Sequence, residues 1–142
     1  MEMILQDRIF YEGSSVERGG VTFSGGEPLL QRDKLYEIIR RCKEEQIHVA
    51  VDTAANVPYE QFEPLLDLAD LFLIDCKAYT NEIHVRGTGV SNERILSNIR
   101  RLSTGNVPVC IRIPVIPGLN GTKEEMEKIA AFLEPLPVRK IE

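Results

Sequence analysis

Short apolar runs alternate along this chain with stretches whose apolar residues recur at helical spacing, and that alternation limits the fold more than any other feature. Val21 to Ser24 is β-branched and aromatic and runs into a glycine pair. Ile47 to Val51, Leu71 to Asp75 and Val107 to Val115 repeat the theme, and Val138 onward opens a fifth run. Between them, Leu35, Ile38, Ile39 and Cys42 fall at i, i+3, i+4, i+7, one face of a helix. Phe62, Leu65, Leu66 and Ala69 give a second face, which Pro64 should interrupt and restart. Ser91 is placed to cap a third helix burying Ile95, Ile99 and Leu102. Thr122 and Glu125 read as a capping box for a fourth, burying Met126, Ile129, Ala130 and Leu133. Strands that are apolar throughout are covered on both faces, so the fold class is α/β with a parallel sheet. Polar residues at the strand ends favour a parallel (β/α) partial TIM-type barrel over a doubly wound sheet. In either, the ligand site lies at the carboxyl ends of the strands.

The length of 142 residues suits one domain covering 1–142. Seventeen basic and 22 acidic side chains give a net charge of −5, which argues against a nucleic-acid partner. No apolar run approaches the roughly 20 residues of a membrane span, and Met1 to Phe10 lacks the pattern of a secretory signal. A soluble cytoplasmic protein is the expectation. Cys42, Cys76 and Cys110 are dispersed, with no CxxC spacing, and are expected to be small buried hydrophobes.

The strand ends carry the polar residues. Ser24-Gly25-Gly26-Glu27-Pro28 follows the first strand. Two glycines let backbone approach a ligand closely, and Glu27 adds a carboxylate, a corner suited to an ammonium group. The plainer reading is a glycine turn with a glutamate in the first turn of a helix. The second strand ends in Asp52-Thr53, where Asp52 would either cap a turn or face the barrel mouth. The third places Leu73, Asp75 and Lys77 on one face, either as an ion pair or as a zwitterion or cation site. The fourth carries Arg112 and Pro114, and a guanidinium in an apolar strand needs a partner in Asp75, Asp52 or a ligand. One charged residue per strand end is a ligand-site pattern that core packing does not ask for.

The segment Gly19 to Gln31, with Val51-Asp52-Thr53, Leu73 to Lys77, Glu82-Ile83-His84, Gly89 to Asn92 and Ile111 to Gly118, resembles the glycyl radical enzyme activating enzymes. These are radical S-adenosylmethionine proteins of the pyruvate formate-lyase activating type. The resemblance implies that Gly25, Gly26 and Glu27 bind the amino group of S-adenosylmethionine and that Lys77 contacts its carboxylate or ribose side. It implies that Arg112 and the stretch from Pro114 to Gly118 line the adenosine side. It further implies a monovalent cation held by Asp52, Thr53, Asp75 and the Leu73 carbonyl, and it places His84 in a loop near the partner protein. In the family, a [4Fe–4S] cluster gives one electron to S-adenosylmethionine, and the 5′-deoxyadenosyl radical removes a hydrogen from a glycine of the partner enzyme.

The family's CxxxCxxC motif has no counterpart here, and the three cysteines cannot replace it by spacing. The chain therefore reads as an internal piece of a barrel, without its first strand and its C-terminal part and without cluster ligands. Met1 to Tyr11 matches the family's helix before the GGEP strand, whereas Gly13 to Arg18 departs from its glycine-rich run. Such a piece should be inactive alone and prone to self-association through open sheet edges. Two other readings compete: a non-catalytic module binding S-adenosylmethionine or the glycyl partner, and an unrelated barrel enzyme acting on a phosphorylated or carboxylated metabolite through Lys77 and Arg112.

Overall fold

The sheet is parallel and its strands follow chain order. A computed structural model describes residues 1–11 and 19–142, so the departure noted over Gly13 to Arg18 lies outside the described residues. Strands β1 (Gly20–Phe23), β2 (His48–Thr53), β3 (Leu71–Asp75), β4 (Val109–Arg112) and β5 (Lys140–Ile141) form one sheet in the order β1-β2-β3-β4-β5. Every adjacent pair is parallel. A sheet that always grows in one direction through right-handed crossovers puts its helices on one face. That is barrel geometry, since a doubly wound sheet would need a reversal of strand order.

Alternation sorts the side chains between the faces. Val49, Val51, Phe72, Ile74, Val109 and Ile111 are buried under α3 (Arg32–Glu44), α5 (Glu93–Ser103) and α6 (Lys123–Leu133). Leu35, Ile39 and Cys42 of α3, Ile95, Ile99 and Leu102 of α5, and Ile129 and Leu133 of α6 are buried, as their spacing requires, whereas Ile38 and Met126 are half-buried and Ala130, expected inside, is exposed. The other face holds Thr22, exposed, and His48, Asp52, Leu73, Asp75 and Arg112, half-buried. No helix among the described residues is long and apolar enough to cross a membrane.

Several local expectations are corrected. The fourth strand spans only Val109–Arg112, because Pro108 and Pro114 flank it and neither offers an N–H to a ladder. The segment after Pro58 stops and restarts around Pro64 as expected, but as two short 3-10 turns, Tyr59–Gln61 and Glu63–Leu65, in place of an α-helix. The N-terminal helix is divided at Asp7 into α1 (Glu2–Gln6) and α2 (Arg8–Tyr11). Asn92, not Ser91, is the N-cap residue of α5, while Ser91 Oγ accepts the Glu93 N–H at 3.3 Å. Half of the capping box forms: Thr122 Oγ1 accepts from Glu125 N–H at 3.3 Å, but the Glu125 carboxylate turns elsewhere. A helix with no counterpart in the apolar pattern, α4 (Asn81–Thr88), follows β3, and His84, expected in a loop, is its one buried residue.

Candidate functional site

The carboxyl ends of β1 to β4 bring most of the expected residues to the helix-free face. Gly25 and Gly26 follow β1 with φ of 93° and 54°, a left-handed path that favours glycine, and the space a Cβ would fill is open at both. Both glycines are exposed. Glu27 closes it. Its carboxylate accepts from Leu29 N–H at 3.2 Å, capping the 3-10 turn Pro28–Gln31. It also accepts from Thr53 Oγ1 at 2.8 Å through either oxygen and from Ala54 N–H at 3.1 Å, tying the end of β1 to the end of β2. The plainer reading of this corner, a glycine turn with a glutamate at the start of a helical turn, is the one these bonds show.

Arg112 is the hub of the open face. Its Nη1 donates to Asp52 Oδ2 at 3.2 Å, and its Nη2 contacts Asp52 Oδ1. Nε donates to Asp75 Oδ1 at 2.9 Å, and Nη2 lies 2.8 Å from the same oxygen. Lys77 Nζ donates to Asp75 Oδ2 at 2.8 Å, and Ser24 Oγ donates to Asp52 Oδ2 at 3.0 Å. Parallel register explains the grouping: Asp52 stands beside Leu73, and Asp75 beside Arg112. Burial works to lower the Arg112 pKa, but hydrogen bonds and charge from Asp52 and Asp75 outweigh it and hold the guanidinium above its ordinary value. The fork satisfies two carboxylates at once, which a lysine could not do in this geometry.

The four residues expected to hold a cation are not all brought together. Asp52, Leu73 and Asp75 share the open face, but Thr53 points to the other side, where its hydroxyl binds Glu27 and accepts from Ala55 N–H at 2.9 Å. Among the described residues no group of three or more His, Cys, Asp or Glu side chains is arranged to hold a metal ion. Pro114 sits half-buried beyond Arg112.

Several supporting residues escaped the sequence reading. Asn120, fully buried, donates from Nδ2 to the carbonyls of Lys77 at 2.6 Å and Pro114 at 2.8 Å, and its Oδ1 accepts from Ile116 N–H at 2.6 Å. Asn92 Nδ2 donates to the carbonyls of Ala78 at 2.9 Å and Tyr79 at 2.8 Å. Glu125 accepts from Tyr79 N–H at 2.6 Å, Thr80 N–H at 2.9 Å and Thr80 Oγ1 at 2.5 Å. Burial pushes its pKa up, but these donors and the charge of Lys128 outweigh it and leave the carboxyl below its usual value. His84 Nδ1 lies 2.8 Å from the Val90 carbonyl and 3.0 Å from Thr88 Oγ1, a fastening of the turn after α4.

The family profile described as the Radical SAM superfamily matches residues 7–133. The chain belongs to the radical SAM superfamily. Among its radical SAM relatives are activating enzymes. One is the trans-4-hydroxy-L-proline dehydratase activating enzyme of Clostridioides difficile, 43% identical over 97% of this chain and 46% of the relative. Another is the 4-hydroxyphenylacetate decarboxylase activating enzyme of C. difficile strain 630, 43% identical over 81% of this chain and 37% of the relative. The chain thus spans less than half the length of these curated relatives. A crystal structure of a domain of the pyruvate-formate lyase-activating enzyme from Bacteroides vulgatus superposes with a TM-score of 0.80 at 41% identity, covering 87% of this chain and 78% of that one. The radical SAM partial-barrel fold read from the sequence is therefore the fold found.

Radical SAM membership implies an iron–sulfur cluster and S-adenosylmethionine. The cysteines do not fit the cluster. Cys42, Cys76 and Cys110 are all buried and unpaired, on α3, after β3 and within β4. Burial pushes the Cys76 thiol up to about 12, with the Glu125 charge adding to it, and raises Cys42 and Cys110 as well. A cluster ligand is a thiolate, and these sites disfavour that form. S-adenosylmethionine is better matched by the strand ends, where an open glycine turn adjoins a charged network.

Proposed function

We propose that this chain supplies the S-adenosylmethionine-binding shelf of an activating enzyme that generates a glycyl radical on a partner enzyme. The observation that carries this reading is the convergence of Asp52, Asp75, Lys77 and Arg112 on the helix-free face beside the Gly25–Glu27 turn. On the open face Asp52 and Asp75 balance Lys77 and Arg112, and Glu27, tied to Thr53 at the end of β1, adds one negative charge beside them. A sulfonium amino acid carries one net positive charge, so cofactor and shelf compensate each other.

Each residue has a task in this reading. The exposed carbonyls of the Gly25–Gly26 turn, backed by Glu27, take the cofactor's ammonium. Lys77, held by a single carboxylate and partly exposed, is free to extend a second donor to the cofactor's carboxylate or ribose. Arg112 stays on Asp52 and Asp75 and holds the adenosine side in shape, with the stretch from Pro114 to Gly118 as its wall. A monovalent cation beside Asp52 and Asp75 belongs to the same reading, placed against the cofactor's carboxylate. When bound, S-adenosylmethionine supplies the radical precursor.

With no cysteine suited to a cluster, the chain by itself binds the cofactor without cleaving it. The burial of all three thiols also supports the second reading, a binding module without catalysis. Three unpaired thiols suit a cytoplasmic setting. Calorimetry should give 1:1 binding of S-adenosylmethionine, with S-adenosylhomocysteine weaker because it lacks the sulfonium charge. Preference for simple phosphates over both compounds would favour the unrelated metabolite enzyme instead. Anaerobic treatment with iron and sulfide should yield no reductive cleavage of the cofactor; a loaded cluster with cleavage would overturn the inactivity of the chain.

A further inference from the structure

We infer that Asn120 is a positioning residue for Lys77, a role that rests on the cofactor-shelf reading above. The ladder between β3 and β4 has its last rung at Cys76 N–H, which donates to the Arg112 carbonyl at 2.9 Å. Two residues on, past the end of β4, stands Pro114, which has no N–H, so the ladder cannot continue. The strands would part here, with Lys77 on one loose end and Pro114 on the other. Asn120 closes the gap. Its Nδ2 hydrogens go to the Lys77 and Pro114 carbonyls, and its Oδ1 takes the Ile116 N–H. Both donors and the acceptor of the amide are used within a fully buried position.

An aspartate here would set an oxygen against two carbonyl oxygens, and an alanine would leave them without a donor. Asn92 and Glu125 then fix the next residues, Ala78 to Thr80, so the whole passage from β3 to α4 is tethered by buried side chains instead of a ladder. What Asn120 contributes separately is the direction in which the Lys77 backbone leaves the sheet. That direction decides whether Nζ meets Asp75 and the mouth, or swings into solvent.

The test compares the 142-residue chain with Asn120→Ala, Asn120→Asp and a core control far from the site, Ile95→Val. Two readouts need no cofactor: amide hydrogen exchange over Lys77 to Thr80, and the Lys77 side-chain methylene NMR signal, assigned by its loss in Lys77→Arg. Both Asn120 variants should speed exchange at those amides at least tenfold over the control and move the Lys77 signal to that of a free lysine. Exchange and signal equal to the control would overturn the proposal. Calorimetry with S-adenosylmethionine adds the functional arm. If wild type binds, the Asn120 variants should bind at least tenfold more weakly and the control as wild type; unchanged affinity would overturn the proposal. If wild type does not bind, the shelf reading falls, and exchange with the Lys77 signal still decides what Asn120 does. Asn120→Asp sets a charge against two carbonyls, so Asn120→Ala is the milder variant; amide exchange in α3 and α5 equal to the control shows that its fold is kept, and loss of protection there as well as at Lys77 to Thr80 would overturn a local positioning role.

Discussion

The two faces of the sheet are made by the same strands yet follow different rules. On the helix-covered face, Val49, Val51, Phe72, Ile74, Val109 and Ile111 are fully enclosed by apolar neighbours from α3, α5 and α6. On the open face, Asp52, Asp75 and Arg112 of the same strands are half-buried and pair across neighbouring strands, with Lys77 on Asp75. Burial holds the first face together, and removing a side chain there costs packing. Ion pairs organise the second, and because water reaches them they add little to stability. What they fix is the placement of charge at the strand ends. A residue's face therefore forecasts whether its loss harms the fold or the ligand site.

The comparison breaks if substitutions on the two faces cost alike. Phe72→Ala removes a ring packed edge-to-face on Phe62, with centroids 5.7 Å apart, and should destabilise by about 3–5 kcal/mol in urea unfolding. Its neighbour Leu73→Ala, on the open face, should cost about 1 kcal/mol. Glu125→Gln should cost about 1–3 kcal/mol at neutral pH, because three donors around Tyr79 and Thr80 lose an ionised acceptor. The carboxyl's pKa is lowered in the fold, so its contribution is present above the ordinary glutamate range and is lost as pH falls through the lowered value. The gap between wild type and Glu125→Gln should therefore close in acid, which urea midpoints across pH would check. Arg112→Met should cost only about 1–2 kcal/mol of stability, since solvent reaches the pairs, while cofactor affinity measured by calorimetry falls at least tenfold. Ser103→Ala, at the one buried side-chain atom without a hydrogen bond among the described residues, should leave thermal stability unchanged or raise it by up to about 1 kcal/mol.

The helix-covered face was legible because burial writes periodicity into sequence. Leu35, Ile39 and Cys42 lie where their spacing put them, and the polar strand ends announced the site. The tethers were not legible, because their partners lie far away in the chain. Glu125 looked like the second half of a capping box, yet its carboxylate spends its bonds on Tyr79 and Thr80, some 45 residues earlier. Asn120 resembles any loop asparagine after a Pro-Gly pair. Asn98 did leave a signal. It falls on the stripe with Ile95, Ile99 and Leu102, so its amide had to be satisfied inside, and it is, by the carbonyls of Ala55 and Val57. Ala55 has a φ of 56°, so Asn98 secures a strained turn just past Thr53. The helix α4 was missed because most of its residues are polar or exposed and only His84 turns inward.

Backbone NMR during titration with S-adenosylmethionine tests the central claim most directly. Perturbed amides should cluster at Gly25 to Glu27, Asp52, Asp75 to Lys77 and Arg112 to Ile116, with α3, α5 and α6 unmoved. Perturbations confined to the helix-covered side, or none at saturating cofactor, would contradict it.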